Sequence, residues 1–245
     1  MRNIFTCLLL AVTTVFVFSG CDEMIGNERV KGNGHVVKQA REVVPFQRID
    51  IRGSMDVYIH QGATARVEIE TDENVQPYIE LEAEEGELIV KQRNNTSIRT
   101  SKPVRVYITV ASLDAVSLSG SGNIYMKDKF TADDKMLFSL SGSGVIKAAE
   151  LDAPSVDVEI AGSGDMELKG KTRDMNVSIA GSSNFHGSEL LAENVKVDIS
   201  GSGDAHVYAS IKIEANIAGS GDVRYRGDAT AGNTSIVGSG SVRKE

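Results

Sequence analysis

Val156-Asp157-Val158-Glu159-Ile160-Ala161-Gly162-Ser163-Gly164-Asp165-Met166-Glu167-Leu168 alternates apolar and polar residues on both sides of a Gly-Ser-Gly-Asp centre. Period-two alternation rich in Val and Ile is the pattern of a half-buried strand. The same string, apolar-x-Gly-Ser-x-Asp/Asn-apolar, recurs along the chain with leading glycines Gly53, Gly120, Gly142, Gly162, Gly181, Gly201, Gly219 and Gly238. From Gly120 onward the spacings are 22, 20, 19, 20, 18 and 19 residues. Recurrence at that period is the mark of a solenoid, in which each repeat buries its apolar face only by stacking on the next. No segment between repeats holds a helical period. The chain therefore reads as all-β: a parallel β-helix of about 18–22 residues per coil, each coil made of two or three short strands about 4.8 Å from their equivalents.

The corner has a backbone reason. A sharp bend between strands favours positive φ, which Gly adopts without steric cost. Stacked corners make columns. One is Ser54, Ser121, Ser143, Ser163, Ser182, Ser202, Ser220 and Ser239; another is Asp56, Asn123, Val145, Asp165, Asn184, Asp204, Asp222 and Ser241. Both are expected to be structural, because every coil needs the same bend and short polar side chains serve free amides there.

Outward from the repeats, the chain divides into four. Residues 1–20 hold Arg2 and then an apolar run, Ile4 to Phe18, too short for a membrane span of about 20 residues and suited to a secretory signal. The run ends Phe18-Ser19-Gly20-Cys21. That ending resembles the lipobox of bacterial lipoproteins and implies a diacylated Cys21 as the first mature residue, although the family usually has an aliphatic residue where Phe18 stands. The other reading is an ordinary signal with an incidental Cys. Residues 21–31, polar and opening with Asp22 and Glu23, read as a tether. Residues 32–117 carry degenerate alternation, and the 67 residues from Gly53 to Gly120 equal about three periods. This irregular N-terminal β region reads either as further coils or as a small sheet capping the solenoid end. Residues 118–245 are the regular helix. Apart from Cys7 and Cys21 the chain has no Cys, so neither a disulfide nor a Cys metal site is expected after processing.

Composition narrows the function classes. The 245 residues carry 26 Lys+Arg against 34 Asp+Glu, a net charge of −8. With no basic run, a nucleic-acid partner is not expected. Trp is absent, which removes the best platform for stacking sugars.

Gly53-Ser54-Met55-Asp56-Val57-Tyr58-Ile59 with Gln61-Gly62, then Val106-Tyr107-Ile108-Thr109, then the tandem Ser-Gly-Ser-Gly-Asn/Asp units together resemble the head GIN domain family of auto-transporter adhesins, over about residues 32–243. The resemblance implies an exported bacterial β-helix, often a lipoprotein, and brings no catalytic residues. It also implies a right-handed solenoid, in line with the general hand of parallel crossovers. The expected role is a lipid-anchored surface interaction module of the cell envelope, with the outer membrane as its membrane and its exposed or periplasmic face left open. A protein or glycan ligand is the partner class.

A structural envelope component would self-associate through its coil ends as a homo-oligomer. Calcium rolls use a nine-residue Gly/Asp unit; the period here is twice as long, and only Asp204 and Asp222, adjacent with no Asn between them, remain as weak cation candidates. Polysaccharide-active β-helices need protruding loops and carboxylate pairs, and the corner spacing leaves little room for loops. His35, His60, His186 and His206 show no ligand or triad spacing. The protein is read as no enzyme, with no cofactor. Tyr125, Phe185 and Tyr225 are the expected aromatic outward patch.

Overall fold

The structure, a computed structural model, describes residues 28–245. The signal segment, Cys21, Asp22 and Glu23 lie outside the described residues. The fold is nearly all β, a β-solenoid of about six turns.

The N-terminal region holds β1 (Glu28–Lys31), β2 (Val36–Arg41), β3 (Arg48–Gly53), β4 (Asp56–Gln61) and β5 (Arg66–Asp72). A 3-10 turn (Glu73–Tyr78) leads into β6 (Ile79–Glu84), β7 (Glu87–Gln92), β8 (Thr96–Arg99) and β9 (Arg105–Val110). The regular part comprises β10 (Ala115–Gly120), β11 (Asn123–Thr131), β12 (Lys135–Gly142), β13 (Val145–Gly162), β14 (Asp165–Gly181), β15 (Asn184–Gly201) and β16 (Asp204–Gly219). It closes with β17 (Asp222–Arg226), β18 (Thr230–Gly238) and β19 (Ser241–Lys244).

Every pairing in the regular part is parallel and sets corner on corner: Gly120 on Gly142, then Gly162, Gly181, Gly201, Gly219 and Gly238. From β13 to β16 a single strand runs the whole way from one glycine corner to the next, where two or three short strands were expected. The second bend is made without breaking the ladder. Register shifts fall at Met126/Lys129, Ala148/Leu151, Glu167/Gly170 and Gly187/Leu191. Extra residues there, one at each of the first three shifts and three at Gly187/Leu191, bend the strand and let it continue on the next face.

Alternation measured from the leading glycine decides what is buried. The residue four after it points inward, giving Ile124, Ile146, Met166, Phe185, Ala205 and Val223, all at most 1% exposed. The residue two before it gives Leu118, Leu140, Ile160, Ile179, Ile199 and Ile217. Phe185 is thus a core residue, and Tyr225, six after Gly219, is buried on the Met126/Ala148/Leu168 column. This corrects the expected outward patch, of which Tyr125 alone remains outward. The same register that buries Met166 and Leu168 forces both aromatic side chains in.

Inside the corner a second column reads Gly122, Gly144, Gly164, Ser183, Gly203 and Gly221. A Cβ on Gly164 would meet the Gly144 carbonyl oxygen at 2.5 Å, so the coils approach too closely there for most side chains. Ser183 is the exception, fully buried, and its hydroxyl has no partner. Ser183→Ala is expected to raise stability by about 1 kcal/mol, since an unmatched buried hydroxyl costs about 1–3 kcal/mol. A urea midpoint at or below wild type would contradict this.

The N-terminal region differs from a run of extra coils. β3 and β4 stack directly on β10 and β11, with Gly53 on Gly120. The 67-residue interval is therefore one coil step plus a detour, not three periods. In the detour β7 pairs with β3 and β9 with β4, both parallel, forming one coil beyond the first. Antiparallel strands then close that end: β5 on β9, β2 on β5, and β6 on β7. The segment read as tether is shorter than expected, because Glu28–Lys31 pairs with Thr96–Arg99 as a two-stranded sheet.

Asp72 ties this cap together. It is fully buried and accepts hydrogen bonds from the Gly34 amide at 2.7 Å and from the Ser101 amide and hydroxyl, each at 2.8 Å. Burial alone would push its pKa up, but these donors outweigh burial and hold the carboxyl below its ordinary value.

Candidate functional site

The outward surface is built from columns, one residue per coil, so its chemistry follows from the register. At the corner the eight leading glycines have φ between +121° and +141°. The following Ser amide donates to the glycine carbonyl one coil below, as in Ser163 to Gly142 at 2.9 Å and Ser202 to Gly181 at 2.8 Å. The Ser column itself is exposed along its length.

The Asp/Asn column is occupied by its own members. Asn123 donates to Asp56 at 2.8 Å and Asn184 to Asp165 at 2.9 Å. Asp204 accepts from the Asp222 amide at 2.8 Å, and Asp222 accepts from the Ser241 hydroxyl at 2.7 Å. That hydroxyl is the main reason the Asp222 carboxyl sits below its ordinary pKa. Asp204 and Asp222 therefore spend oxygens on the ladder, and among the described residues no group of three His, Cys, Asp or Glu is placed to hold a metal.

The histidines stay apart from any shared centre. His35 meets Glu73 at 3.1 Å and His60 meets Asp128 at 3.2 Å. His186 and His206 stack on each other, centroids 5.9 Å apart.

On the face after the corner, the fifth residue past the glycine carries an aromatic ladder that the sequence reading missed. Tyr107, Tyr58 and Tyr125 stack with centroids 5.4 Å apart at both steps. Lys38 lies 3.8 Å over Tyr107, whose hydroxyl donates to Glu70 at 2.9 Å. The matching offsets of Tyr58 from Gly53 and Tyr125 from Gly120 were the available signal. The 67-residue interval, about three periods long, hid their adjacency. The rings face each other, leaving their edges to solvent, so this stack chiefly braces the fold. Beyond it the column turns to charge, with Lys147 and Glu167 paired at 2.9 Å.

The third, shortest face carries a groove. Small inward residues, Ala153, Thr172, Ala192 and Ala209, lie in register and draw the backbone in. The result is an open groove of about 690 Å³ that crosses five coils, from Thr131 to Ser210. One lip runs Thr131, Asp152, Lys171, Leu191 and Tyr208; the other includes Pro154, Arg173 and Glu193. Lys171 and Lys129, each 3.1 Å from Asp152, hold that carboxyl below its ordinary pKa. Leu191 is 51% exposed on this lip. A concave strip with a neutral small-residue floor, alternating charge and one exposed leucine suits an extended chain lying along the solenoid.

The family described as "Putative auto-transporter adhesin, head GIN domain" matches residues 45–229. A crystal structure of a "putative adhesin" from Bacteroides fragilis is similar at a TM-score of 0.82 and 22% identity, covering 88% of this chain and 100% of the other. A "putative lipid binding protein" from Parabacteroides distasonis gives 0.76 and 23%, covering 89% and 100%. A "putative adhesin" from Parabacteroides merdae gives 0.69 and 23%, covering 89% and 99%. No curated protein matches.

Proposed function

Because this chain belongs to the head GIN domain family of auto-transporter adhesins, we propose that it is a lipid-anchored adhesion module of the cell envelope that binds an extended protein or glycan chain without catalysis. The observation that carries the reading is the groove over five coils. A solenoid gives a partner many shallow, repeated contacts along one line, and the groove is where such a line is concave. Its mixed charge and exposed Leu191 favour a polypeptide segment over a sugar. The lipobox-like end at Cys21 supplies the anchor, with the outer membrane as the site of attachment. No helix among the described residues is long and apolar enough to cross a membrane.

Leu191→Asp tests the groove. Beads coated with the purified protein are applied to cells of its source species and counted after washing. The variant is expected to bind at least about tenfold less, the loss of roughly 1.4 kcal/mol, while its melting midpoint stays unchanged because the side chain is exposed. Val44→Asp, at another exposed apolar residue (57%), should bind as wild type. Equal binding by Leu191→Asp, or wild-type binding no better than bare beads, would refute the groove as the adhesive site.

A further inference from the structure

The two ends of the solenoid are finished differently. At the N-terminal end β2, β5 and β6 run antiparallel across the last coil, and β6 carries Glu80, Glu82 and Glu84. At the other end, among the described residues, β18 pairs with β16 alone and β19 with β17 alone. All nine residues of β18 are exposed. Ile236 sits directly on Ile217 and continues the inward column, yet it is 41% exposed where Ile217 is 2%. Beside it Val237 is 72% exposed. From Ala229 to Val242 there is neither a charged residue nor a proline.

Natural sheets blunt free edges with charge, proline, bulges or cover. The N-terminal end uses cover and charge; β18, among the described residues, has no charge, proline or cover, its one irregularity is a register shift opposite Ile213/Ala215, and charge at this end sits on β19 in Arg243 and Lys244. Resting on the adhesin reading, we propose that this open end is a self-association surface, on which β18 pairs antiparallel with β18 of a second copy across a two-fold axis.

The second copy is the occupant the chemistry favours. An uncharged edge meets its own copy with no like-charge repulsion, and the two-fold pairing satisfies both bare edges at once and closes the assembly. It also covers Ile236 on both sides. A head-to-tail stack would instead press β18 against β6, where Glu80 and Glu82 are held by Arg93 and Lys91. Those ion pairs would lose water, and the stack would not close. Residues 1–27 join at β1, which belongs to the capped end, so in the two-fold pair the chain starts face opposite ways.

Sedimentation of the purified Cys21→Ala protein tests the pairing without any lipid or cell-surface partner. Wild-type sequence in this background is expected to reach twice the monomer mass as concentration rises. Ile236→Lys and Val237→Lys place a charge on the edge and should weaken dimerisation at least about tenfold; Val237→Lys, at a side chain 72% exposed, should keep the wild-type melting midpoint when both are compared as dilute monomers. Val44→Lys should dimerise normally. A monomer at all concentrations, a dimer indifferent to both edge lysines, or open-ended oligomers would each overturn the proposal. None of these results bears on the groove, which the bead assay reads separately.

Discussion

Gly201→Val is expected to cost about 4 kcal/mol, while the adjacent Ser202→Ala should stay within about 0.5 kcal/mol. Gly201 has φ +132°, and a Cβ there would lie 2.2 Å from the Gly181 carbonyl oxygen. Two penalties combine. A non-glycine residue at such a φ costs about 1–3 kcal/mol, and forcing atoms into a filled site typically costs about 1–3 kcal/mol more. The obstructing atom is backbone, fixed by the Ser202 amide that donates to it at 2.8 Å, so it cannot swing away. Ser202 contributes that amide and an exposed hydroxyl, and Ala keeps the amide. Gly162→Val against Ser163→Ala should show the same contrast. Urea midpoints that fall equally for both members of a pair would remove the corner argument.

Asp72→Ala should cost about 3–5 kcal/mol, because three donors lose a buried charged acceptor worth about 1.5–3 kcal/mol each, with partial relaxation. The effect is local in origin but large in reach. Gly34 lies before β2 and Ser101 before β9, so the carboxylate joins three segments distant in sequence. Its pH dependence has a definite sign. The folded pKa lies below the unfolded value of about 3.9, so the stabilisation is complete above that value and is lost as pH falls through the folded pKa. The stability gap between wild type and Asp72→Asn should therefore shrink below about pH 4. A gap that widens on acidification, or an Asp72→Ala midpoint equal to wild type, would contradict the clasp.

The regular coils were legible because one pattern repeats. Val156 to Leu168 carries the strand alternation, and the recurring glycines carry the period; together they define a stacked parallel sheet before any coordinate is known. What escaped were features set by register between coils. Phe185 looks like an exposed aromatic between Asn184 and His186 until its offset from Gly181 is matched to that of Met166 from Gly162. The Tyr58/Tyr125 stack needed the recognition that Gly53 and Gly120 are neighbours, which the detour within the 67-residue interval conceals. Nothing local marks β7 and β9 as one coil, since their pairing depends on a chain reversal through β5 and β6. The groove was equally hidden. Its floor of Ala and Thr residues is unremarkable in sequence, and concavity arises only when those small residues stack in one column.

Protease treatment of intact cells tests the proposed lipid-held adhesion module most directly, because an adhesive role requires the solenoid to be presented outside the cell. Digestion of the wild-type protein with a periplasmic marker spared, together with release of Cys21→Ala from the membrane fraction, is the result expected. Full protection in intact cells with cleavage only after lysis, or a Cys21→Ala protein that stays membrane-bound, would contradict it.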